Sequence, residues 1–417
     1  MLSRMDTPPE TDLPDWPATV AGRRCLGMLD RHLRSLRDGE AHGNRRLFLD
    51  DLVVAYLLAF FNPALRSLRA LEDFSRTRRG RPYFATAKLS RSTMSDLQRC
   101  TDPALLQPIL ARLHAAAASV PRPRPPCDLP AALGRVLAVD GTFFGVAADV
   151  AWAWRRRGGP RGKDRAAARL DVTLDAVTWL PEVVDVAADR AGEAAQAARH
   201  VRPGAVHVYD RGIFSFELIA AHEAAAAPFV VRLREPGPRT PRFAAESERP
   251  LTAADTAAGV ASDEEGVLAG SEHRTAPARR LRQVVIRGDD TTIRLLTDLM
   301  DVEAWVVGAL YRWRWQVELF FRWLKVYARF GHLWSRSRGV VLLNFYVAVI
   351  GVLLMYLQSG ARPSKYAYNL LGLVAGGGAT LEEVAPILAE RERQIALEKA
   401  RLARKRAGPG TDQQSPS

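Results

Sequence analysis

The sequence predicts an α/β protein in which a helical N-terminal region precedes a core of alternating strands and helices. Apolar residues recur with a helical period from Cys25 to about Ala118. The segment SVPRPRPPCDLP that follows is too rich in proline to continue a helix. Beyond it the pattern changes to short β-branched runs, in the order three strands, helix, strand, helix, strand.

Composition and length set the first limits on function. The 417 residues allow two or three domains, and the excess of 59 Lys and Arg over 46 Asp and Glu gives a net charge of +13. Such a charge indicates a polyanionic partner, either nucleic acid or an acidic membrane surface. Three widely spaced cysteines exclude a disulfide scaffold and a four-cysteine zinc site. The polar, proline-rich N-terminus is not a secretory signal, so we expect a cytoplasmic protein.

The change of pattern along the chain also predicts its division into domains. The core ends with an apolar helix, and the residues after it read as a charged amphipathic region with a polar tail. The predicted parts are a disordered N-terminus (1–20), a helical DNA-binding domain (21–118), a proline-rich linker (119–131), a catalytic core (132–358) with a β-containing insertion (235–292), and a helical C-terminal region with a disordered tail (359–417).

One apolar segment leaves two interpretations open. Gly339 to Leu357 contains 19 residues without a charge, which is close to the length of a membrane span. Asn344 interrupts its first half, and the sequence has no second span. A helix that is apolar on all sides also suits the buried interior of a large α/β core. We therefore expect a buried helix and no membrane.

The N-terminal region carries its own basic cluster. Between Ala64 and Arg99 there are nine Arg or Lys and three acids, and SRSTMSDL is typical of the second helix of a helix-turn-helix, with Ser90 as its cap. A solvated helix face is the alternative. The predicted DNA contacts in this cluster are Arg78, Arg79, Arg81, Lys88 and Arg91.

Two aspartates follow apolar strands. VLAVD ends at Asp140 and AVHVYD ends at Asp210. In an open α/β sheet the carboxyl ends of the strands are where ligands bind, because side chains there emerge from a rigid scaffold. The alternative is that each aspartate only caps a turn.

The segment LYRWRWQVELFFRWLK predicts a helix from about Val302 to Tyr327 with one polar face. Tyr311, Arg314, Glu318 and Lys325 fall within an arc of about 60° at 100° per residue. A solvated face with ion pairs is the alternative, but the neighbouring Trp and Phe residues favour a partly buried helix whose polar face lines a site. Arg322 also falls on this face, and Trp315 lies near its edge.

Together, Asp140, Asp210 and Glu318 form a set of carboxylates suited to two divalent cations about 3.5–4 Å apart. Oxygen ligands favour Mg²⁺ or Mn²⁺ over zinc. Such a pair of ions activates water or a 3′-hydroxyl and stabilises the leaving oxygen of a phosphodiester. The adjacent cations would hold DNA phosphates, which also accounts for the net charge.

A basic loop lies between the first two predicted strands. GGPRGKD resembles a phosphate-binding loop, but it is one residue short and has no Ser or Thr after Lys163. Seven cations and one acid between Arg155 and Arg169 favour contact with the DNA backbone, and a solvated turn is the alternative. The residues predicted to make this contact are Arg155, Arg156, Arg157 and Lys163.

The spacing Tyr311, two residues, Arg314, three residues, Glu318, six residues, Lys325 resembles the signature of DDE transposases of the insertion-sequence-4 family, which includes the Tn-five transposase. LAVDGT, YDRGIF and LLTDL are similar to other landmarks of that family and occur in its order. One departure is Asp298, where relatives mostly have Asn; we interpret it as strand-end variation.

The resemblance implies a ribonuclease-H-like core, which the predicted strand order also fits, and a catalytic triad of Asp140, Asp210 and Glu318 with two Mg²⁺ or Mn²⁺ ions. It further implies that Tyr311, Arg314 and Lys325 contact end DNA and that Trp315 lies near a flipped base. The N-terminal region would recognise terminal inverted repeats, in a homodimer that also captures target DNA. The expected function is cut-and-paste transposition by a bacterial, nucleoid-associated protein. The alternatives are an inactive end-binding relative and a membrane-bound protein.

Overall fold

The structure is a computed structural model that describes most of the chain from residue 47 onward. The predicted disordered N-terminus, the first part of the helical pattern and the polar tail lie outside the described residues. The described residues are 47–78, 80–84, 89–122, 133–146, 154–156, 165–187, 192–235, 242–269, 279–288, 291–327, 337–375 and 379–406.

Four helices form the described N-terminal region, as the apolar period predicts. They are α1 (Leu49–Phe61), α2 (Leu68–Ser75), α3 (Arg91–Cys100) and α4 (Gln107–Ala118). Their start signals act locally: Ser67 Oγ accepts the backbone N–H of Ala70, and Asp102 accepts that of Ala104. Ser90 does precede α3, but its hydroxyl meets that of Ser92 instead of capping the helix.

One mixed sheet forms the centre of the described structure. Its strands are β1 (Arg135–Val146), β2 (Trp154–Arg156), β3 (Arg165–Asp175), β4 (Pro181–Ala187), β5 (Ala205–Tyr209), β6 (Phe229–Arg232), β7 (Phe243–Glu248), β8 (Val260–Leu268), β9 (Leu281–Arg287) and β10 (Thr292–Thr297). The order across the sheet is β2-β3-β1-β5-β6-β10-β9-β8-β7, and β4 also pairs with β3. Strands β1, β5 and β6 are parallel, whereas β3 is antiparallel to β1 and β4.

Most described residues of the segment predicted as an insertion belong to the central sheet. Strands β7 to β10 continue the same sheet, because β10 pairs with β6. A short helix, α7 (Ala253–Ala257), lies between β7 and β8. Strands β9 and β10 pair in antiparallel register. Backbone pairing along the edge of β6 thus joins this acidic segment to the central strands.

Helices cover both faces of the sheet. Helices α5 (Glu193–Arg199) and α6 (Phe216–Ala224) pack on one face around Val139, Tyr209 and Phe229. On the other face, the larger cluster joins α1 to α4 with the helices that follow β10. The alternation of side chains along β1 produces this division, since Ala138 faces the large cluster and Val139 the small one.

The helix predicted from Val302 to Tyr327 is divided in the structure. It consists of α8 (Ala304–Trp313), α9 (Trp315–Arg322) and a wider π turn (Trp323–Tyr327). At the junction, hydrogen bonds span only three residues: the Arg314 N–H reaches Tyr311 O, and Val317 N–H reaches Arg314 O. The turn is therefore tightened at Arg314.

The apolar segment forms α10 (Arg338–Ser359), which packs between α1, α4 and β4. It is the one helix of the described residues long and apolar enough to span a membrane, and 83% of its apolar window is buried inside the protein. Asn344 Nδ2 donates to the carbonyl of Val340 within the same helix. The prediction of a buried helix is confirmed. Two further helices, α11 (Lys365–Ala375) and α12 (Leu381–Arg406), follow.

Candidate active site

Asp140 and Asp210 lie side by side where the parallel pairing of β1 with β5 ends. In the parallel register of β1 and β5, Val139 is opposite Tyr209, so the next residues on each strand, Asp140 and Asp210, are neighbours. Adjacent strands are about 4.8 Å apart, which keeps both carboxylates within reach of one ligand. Asp140 Oδ1 accepts the N–H of Gly141 at 2.8 Å. Asp210 directly follows β5, as predicted, whereas Asp140 does not end its strand, because β1 continues to Val146 in its pairing with β3.

Arg314 brings the helix acid to the same place. Its Nη1 lies 3.2 Å from Asp140 Oδ2, and its Nη2 lies 2.6 Å from Glu318 Oε1. The side chain is 9% exposed, and its Nε is buried without a hydrogen-bond partner in the described structure. The Arg314 guanidinium therefore links Asp140 of β1 to Glu318 of α9, and its Nε donor is not used.

Tyr311 connects the second aspartate to the helix. Its hydroxyl donates to Asp210 Oδ1 at 3.1 Å, and the Arg314 guanidinium lies 5.8 Å from its ring centre. Burial and the charge of Asp210 both raise the pKa of the Tyr311 phenol, so it remains a donor at neutral pH. The predicted polar face thus contacts both aspartates.

Burial dominates the electrostatics of Asp140. It raises the pKa of this carboxyl to about 6, against the opposing influence of Arg314 and the Gly141 N–H. Glu318 and Glu193 raise the pKa further by repulsion. For Arg314, burial lowers the pKa, but the hydrogen bond to Glu318 and the charge of Asp140 outweigh it and raise the pKa. The site holds more negative charge than its arginine neutralises.

Lys325 reaches the site from the π turn. Its Nζ lies 2.5 Å from Thr142 Oγ1 and 4.9 Å from the ring centre of Phe144. Thr142 and Phe144 share the face of β1 that carries Asp140. Burial lowers the pKa of Lys325. The ammonium group is therefore held beside the strand that carries the first aspartate.

The structure does not bring every predicted residue to this edge. Trp315 is 48% exposed and Arg322 is exposed on α9, both adjacent to the site in sequence. The N-terminal cations Arg78, Arg81 and Arg91 are exposed near α2 and α3. Arg155 and Arg156 lie on β2, next to β3. Arg79, Lys88, Arg157 and Lys163 lie outside the described residues.

The fit of the site to a divalent cation depends on its donor set. The candidate ligands are carboxylate oxygens, which suit Mg²⁺ or Mn²⁺. Asp140 and Glu318 already converge on a positive group, the guanidinium of Arg314. Within the described segments no group of three acidic, His or Cys residues is arranged to hold a metal as it stands. The residue types fit a cation, provided that the Arg314 side chain moves away from the acids.

Sequence reasoning missed one neighbour of this site, Glu193, the first residue of α5. Burial raises the pKa of Glu193, Arg169 lowers it, and Asp171 and Asp210 raise it again. No spacing in the sequence relates this glutamate to Asp140 or Asp210, because the contact depends on how α5 packs against the sheet. Only its place at a helix start next to the strand edge could have drawn attention to it.

The fold and the geometry of the site agree with comparisons to known proteins. Residues 131–356 match the family model described as the transposase DDE domain, and the chain belongs to this family. It is 27% identical over 205 residues to a putative transposase, y4zB, of Sinorhizobium fredii, which covers 49% of this chain and 56% of the relative. It is 26% identical over 203 residues to a probable transposase for insertion sequence element IS5377 of Geobacillus stearothermophilus, which covers 47% and 50%. The chain therefore spans about half the length of these curated relatives.

Proposed function

We propose that this protein is a DDE transposase that binds the terminal inverted repeats of its own insertion sequence and catalyses cut-and-paste transposition. The observation that carries the proposal is the convergence of Asp140, Asp210 and Glu318, through Tyr311 and Arg314, at one edge of the sheet within the transposase domain. The reactions would be phosphodiester hydrolysis followed by strand transfer to target DNA.

The core would be ribonuclease-H-like. The order β4-β3-β1-β5-β6, with only β3 antiparallel to its neighbours, supports this assignment. The spacing from Tyr311 to Lys325 supports membership of the insertion-sequence-4 group. We assign end recognition to the helical domain at 21–118, where α3 buries Met94 and Leu97 and exposes Arg91. The catalytic core would extend over 132–358, and two protomers would hold the paired ends.

Each residue of the site would have a separate role. Asp140, Asp210 and Glu318 would hold two Mg²⁺ or Mn²⁺ ions. When bound, these ions would supply activation of the attacking hydroxyl and stabilisation of the leaving oxygen. Arg314 and Lys325 carry the positive charge that suits phosphates on either side of the scissile bond. Tyr311 would keep the Asp210 carboxylate oriented by its hydrogen bond.

The basic segments would bind DNA beyond the cleavage point. Arg322 and Trp315 are exposed next to the site, where a cation can contact a phosphate and an indole can stack on an unpaired base. Contacts from β2 and its loop would add phosphate binding without reading sequence. We assign that role to Arg155, Arg156, Arg157 and Lys163, and end binding by the N-terminal domain to Arg78, Arg79, Arg81, Lys88 and Arg91.

The test is cleavage of DNA that carries the ends flanking the protein's own gene, in Mg²⁺. Asp140→Asn, Asp210→Asn and Glu318→Gln should each reduce cleavage by at least about 1,000-fold, because each removes a charged oxygen ligand while the side chain keeps its size. Asp301→Asn and Glu217→Gln change exposed acids outside the site and should cleave as the wild type does.

End binding measured in Ca²⁺ separates the two functional hypotheses. An inactive end-binding protein would bind the ends in the wild type and cleave them in no variant. Full cleavage by any of the three acid variants would show that the site is misplaced. An absence of both end binding and cleavage in the wild type would contradict the proposal as a whole.

A further inference from the structure

Glu193 lies at the edge of the sheet that carries the candidate active site. It begins α5, whose Ala197 packs in the cluster with Val139 and Tyr209. Since Val139 and Tyr209 directly precede Asp140 and Asp210, α5 covers the opposite face of the sheet from α9. Glu193 therefore reaches the aspartates from the side that Arg314 and Glu318 do not occupy.

The Glu193 carboxylate lies beside the backbone that follows each aspartate, within β1 after Asp140 and in the turn after Asp210. A Cβ atom placed on Gly141 would be 3.2 Å from Glu193 Oε1, and one placed on Gly212 would be 3.6 Å from Oε2. Gly141 directly follows Asp140, and Gly212 lies two residues after Asp210. Neither glycine has a positive φ, so neither is required by the backbone conformation. Their lack of a side chain leaves room for the Glu193 carboxylate. The two oxygens of Glu193 thus face one of these glycines each.

Positive charge compensates Glu193 only in part. The charge of Arg169 lowers the pKa of Glu193, but its guanidinium is hydrogen-bonded to Asp171, with nitrogen–oxygen distances of 2.9 to 3.2 Å. No hydrogen-bond donor among the described residues reaches the Glu193 carboxylate, although Asp140 and Asp210 lie close enough to repel it. A half-buried carboxylate beside two others is costly unless a cation joins them.

We propose that Glu193 is a fourth carboxylate of the active site and contributes an oxygen ligand to a divalent cation held by Asp140 and Asp210. This inference rests on the proposed function, since it adds a residue to the metal site assigned there. It assigns α5 a part in catalysis that its sequence does not show. The proposed role of Glu193 also accounts for the glycine at position 141, because a methyl group there would lie 2.7 Å from Asp171 Oδ1 and 3.2 Å from Glu193 Oε1.

Metal binding tests this directly, with a readout other than activity. The full-length protein is titrated with Mn²⁺, and free Mn²⁺ is measured by electron paramagnetic resonance, both without DNA and with a duplex carrying one end. Glu193→Gln should weaken Mn²⁺ binding by about 10-fold or more, by analogy with the loss of groups that tune metal sites. Glu193→Asp, which keeps the charge but withdraws the carboxylate by one methylene, should give an intermediate affinity.

The matched control is Glu217→Gln, which changes the exposed first-turn glutamate of the neighbouring helix α6 and should bind Mn²⁺ as the wild type does. Melting in chelator controls for folding: Glu193→Gln should be at least as stable as the wild type, because it removes a repelling charge. If Glu193→Gln binds Mn²⁺ normally in both states while Asp140→Asn does not, the inference is wrong and the proposed function stands. If Asp140→Asn also binds Mn²⁺ normally and cleaves DNA, the proposed function fails with it.

Discussion

Two buried arginines, Arg282 on β9 and Arg314 at the start of α9, each meet carboxylates, and they differ in how completely they are bonded. Arg282 is 1% exposed and binds both oxygens of Asp263 at 2.7 Å through Nε and Nη2. Its Nη1 donates to the carbonyls of Leu299 and Val302. Every nitrogen of this guanidinium has a partner, and the partners join β8, β9 and the segment before α8.

Arg314 is bonded less completely. It makes one hydrogen bond to each of two acids, the contact to Asp140 is 3.2 Å, and Nε has no partner in the described structure. More carboxylate than arginine is present, since Glu193 and Asp210 also influence the groups around it. Arg282 has one acid and two carbonyls arranged around a planar fork, which is a closed arrangement.

The comparison shows how an arginine–carboxylate cluster that stabilises a fold differs from one that can change partners. A guanidinium whose donors are all hydrogen-bonded stays in place, because breaking the ion pair would leave a buried charge uncompensated. An incompletely bonded guanidinium beside excess carboxylate can be replaced by a cation that neutralises more of that charge. We expect Arg314 to exchange the acids for a DNA phosphate when metal and DNA bind.

The largest expected effect is on stability, from Arg282→Ala. Removing Arg282 leaves Asp263 with only the more distant Arg249, whose Nε lies 3.6 Å from Asp263 Oδ2, so we expect a loss near the lower end of about 3–5 kcal/mol in the free energy of unfolding. Chemical denaturation followed by circular dichroism measures this change. The double variant R282M/D263L should recover much of the loss, because two apolar side chains of similar volume leave no unpaired charge. A loss below about 1 kcal/mol for Arg282→Ala would remove the contrast between the two arginines.

A smaller effect, and on a different property, is expected from Arg314→Ala. It should weaken binding to DNA ends in Ca²⁺ by about 10- to 100-fold, because hydrogen bonds to charged groups contribute about 1.5–3 kcal/mol. The free energy of unfolding should change little, since the repulsion left behind is relieved by solvent and bound cation. Arg312→Ala, at an exposed position on the adjacent turn, is the control. Normal end binding with a large loss of stability would show that Arg314 is structural.

The sequence contained enough information to predict the alternation of strands and helices and that Asp140 and Asp210 would be neighbours. Each follows an apolar run, and the parallel register of β1 and β5 places them side by side, although β1 continues beyond Asp140 to Val146. The helical period places Arg314 and Glu318 on one face, and the two side chains form a hydrogen bond in the structure. Burial of the apolar segment in α10 was also predictable, because its polar interruption is a single asparagine.

Other features depend on contacts that no local pattern encodes. Nothing near Glu193 in the sequence indicates that α5 brings it close to Gly141 and Gly212, which follow the two aspartates. The predicted insertion extends the sheet because β10 pairs with β6 across more than 60 residues of chain. The tightened turn at Arg314 also escapes prediction, since its residues are ordinary helix formers. Asp298, expected as strand-end variation, binds the Phe229 N–H and Arg279 and so fixes the start of β6.

The smallest expected effect is a pH dependence that belongs to the incompletely compensated cluster. Because the pKa of Asp140 is about 6 in the folded protein and 3.8 in the unfolded chain, the folded state binds the proton more tightly. Its contribution to stability is complete below pH 3.8 and is lost as the pH rises through 6. The shift bounds the effect at about 3 kcal/mol, and solvent at this edge should reduce it to about 1 kcal/mol. In chelator, Asp140→Asn should therefore melt above the wild type at pH 7.5, and the difference should disappear by about pH 4. A difference independent of pH, or one of opposite sign, would mean that Arg314 compensates Asp140 as fully as Asp263 compensates Arg282.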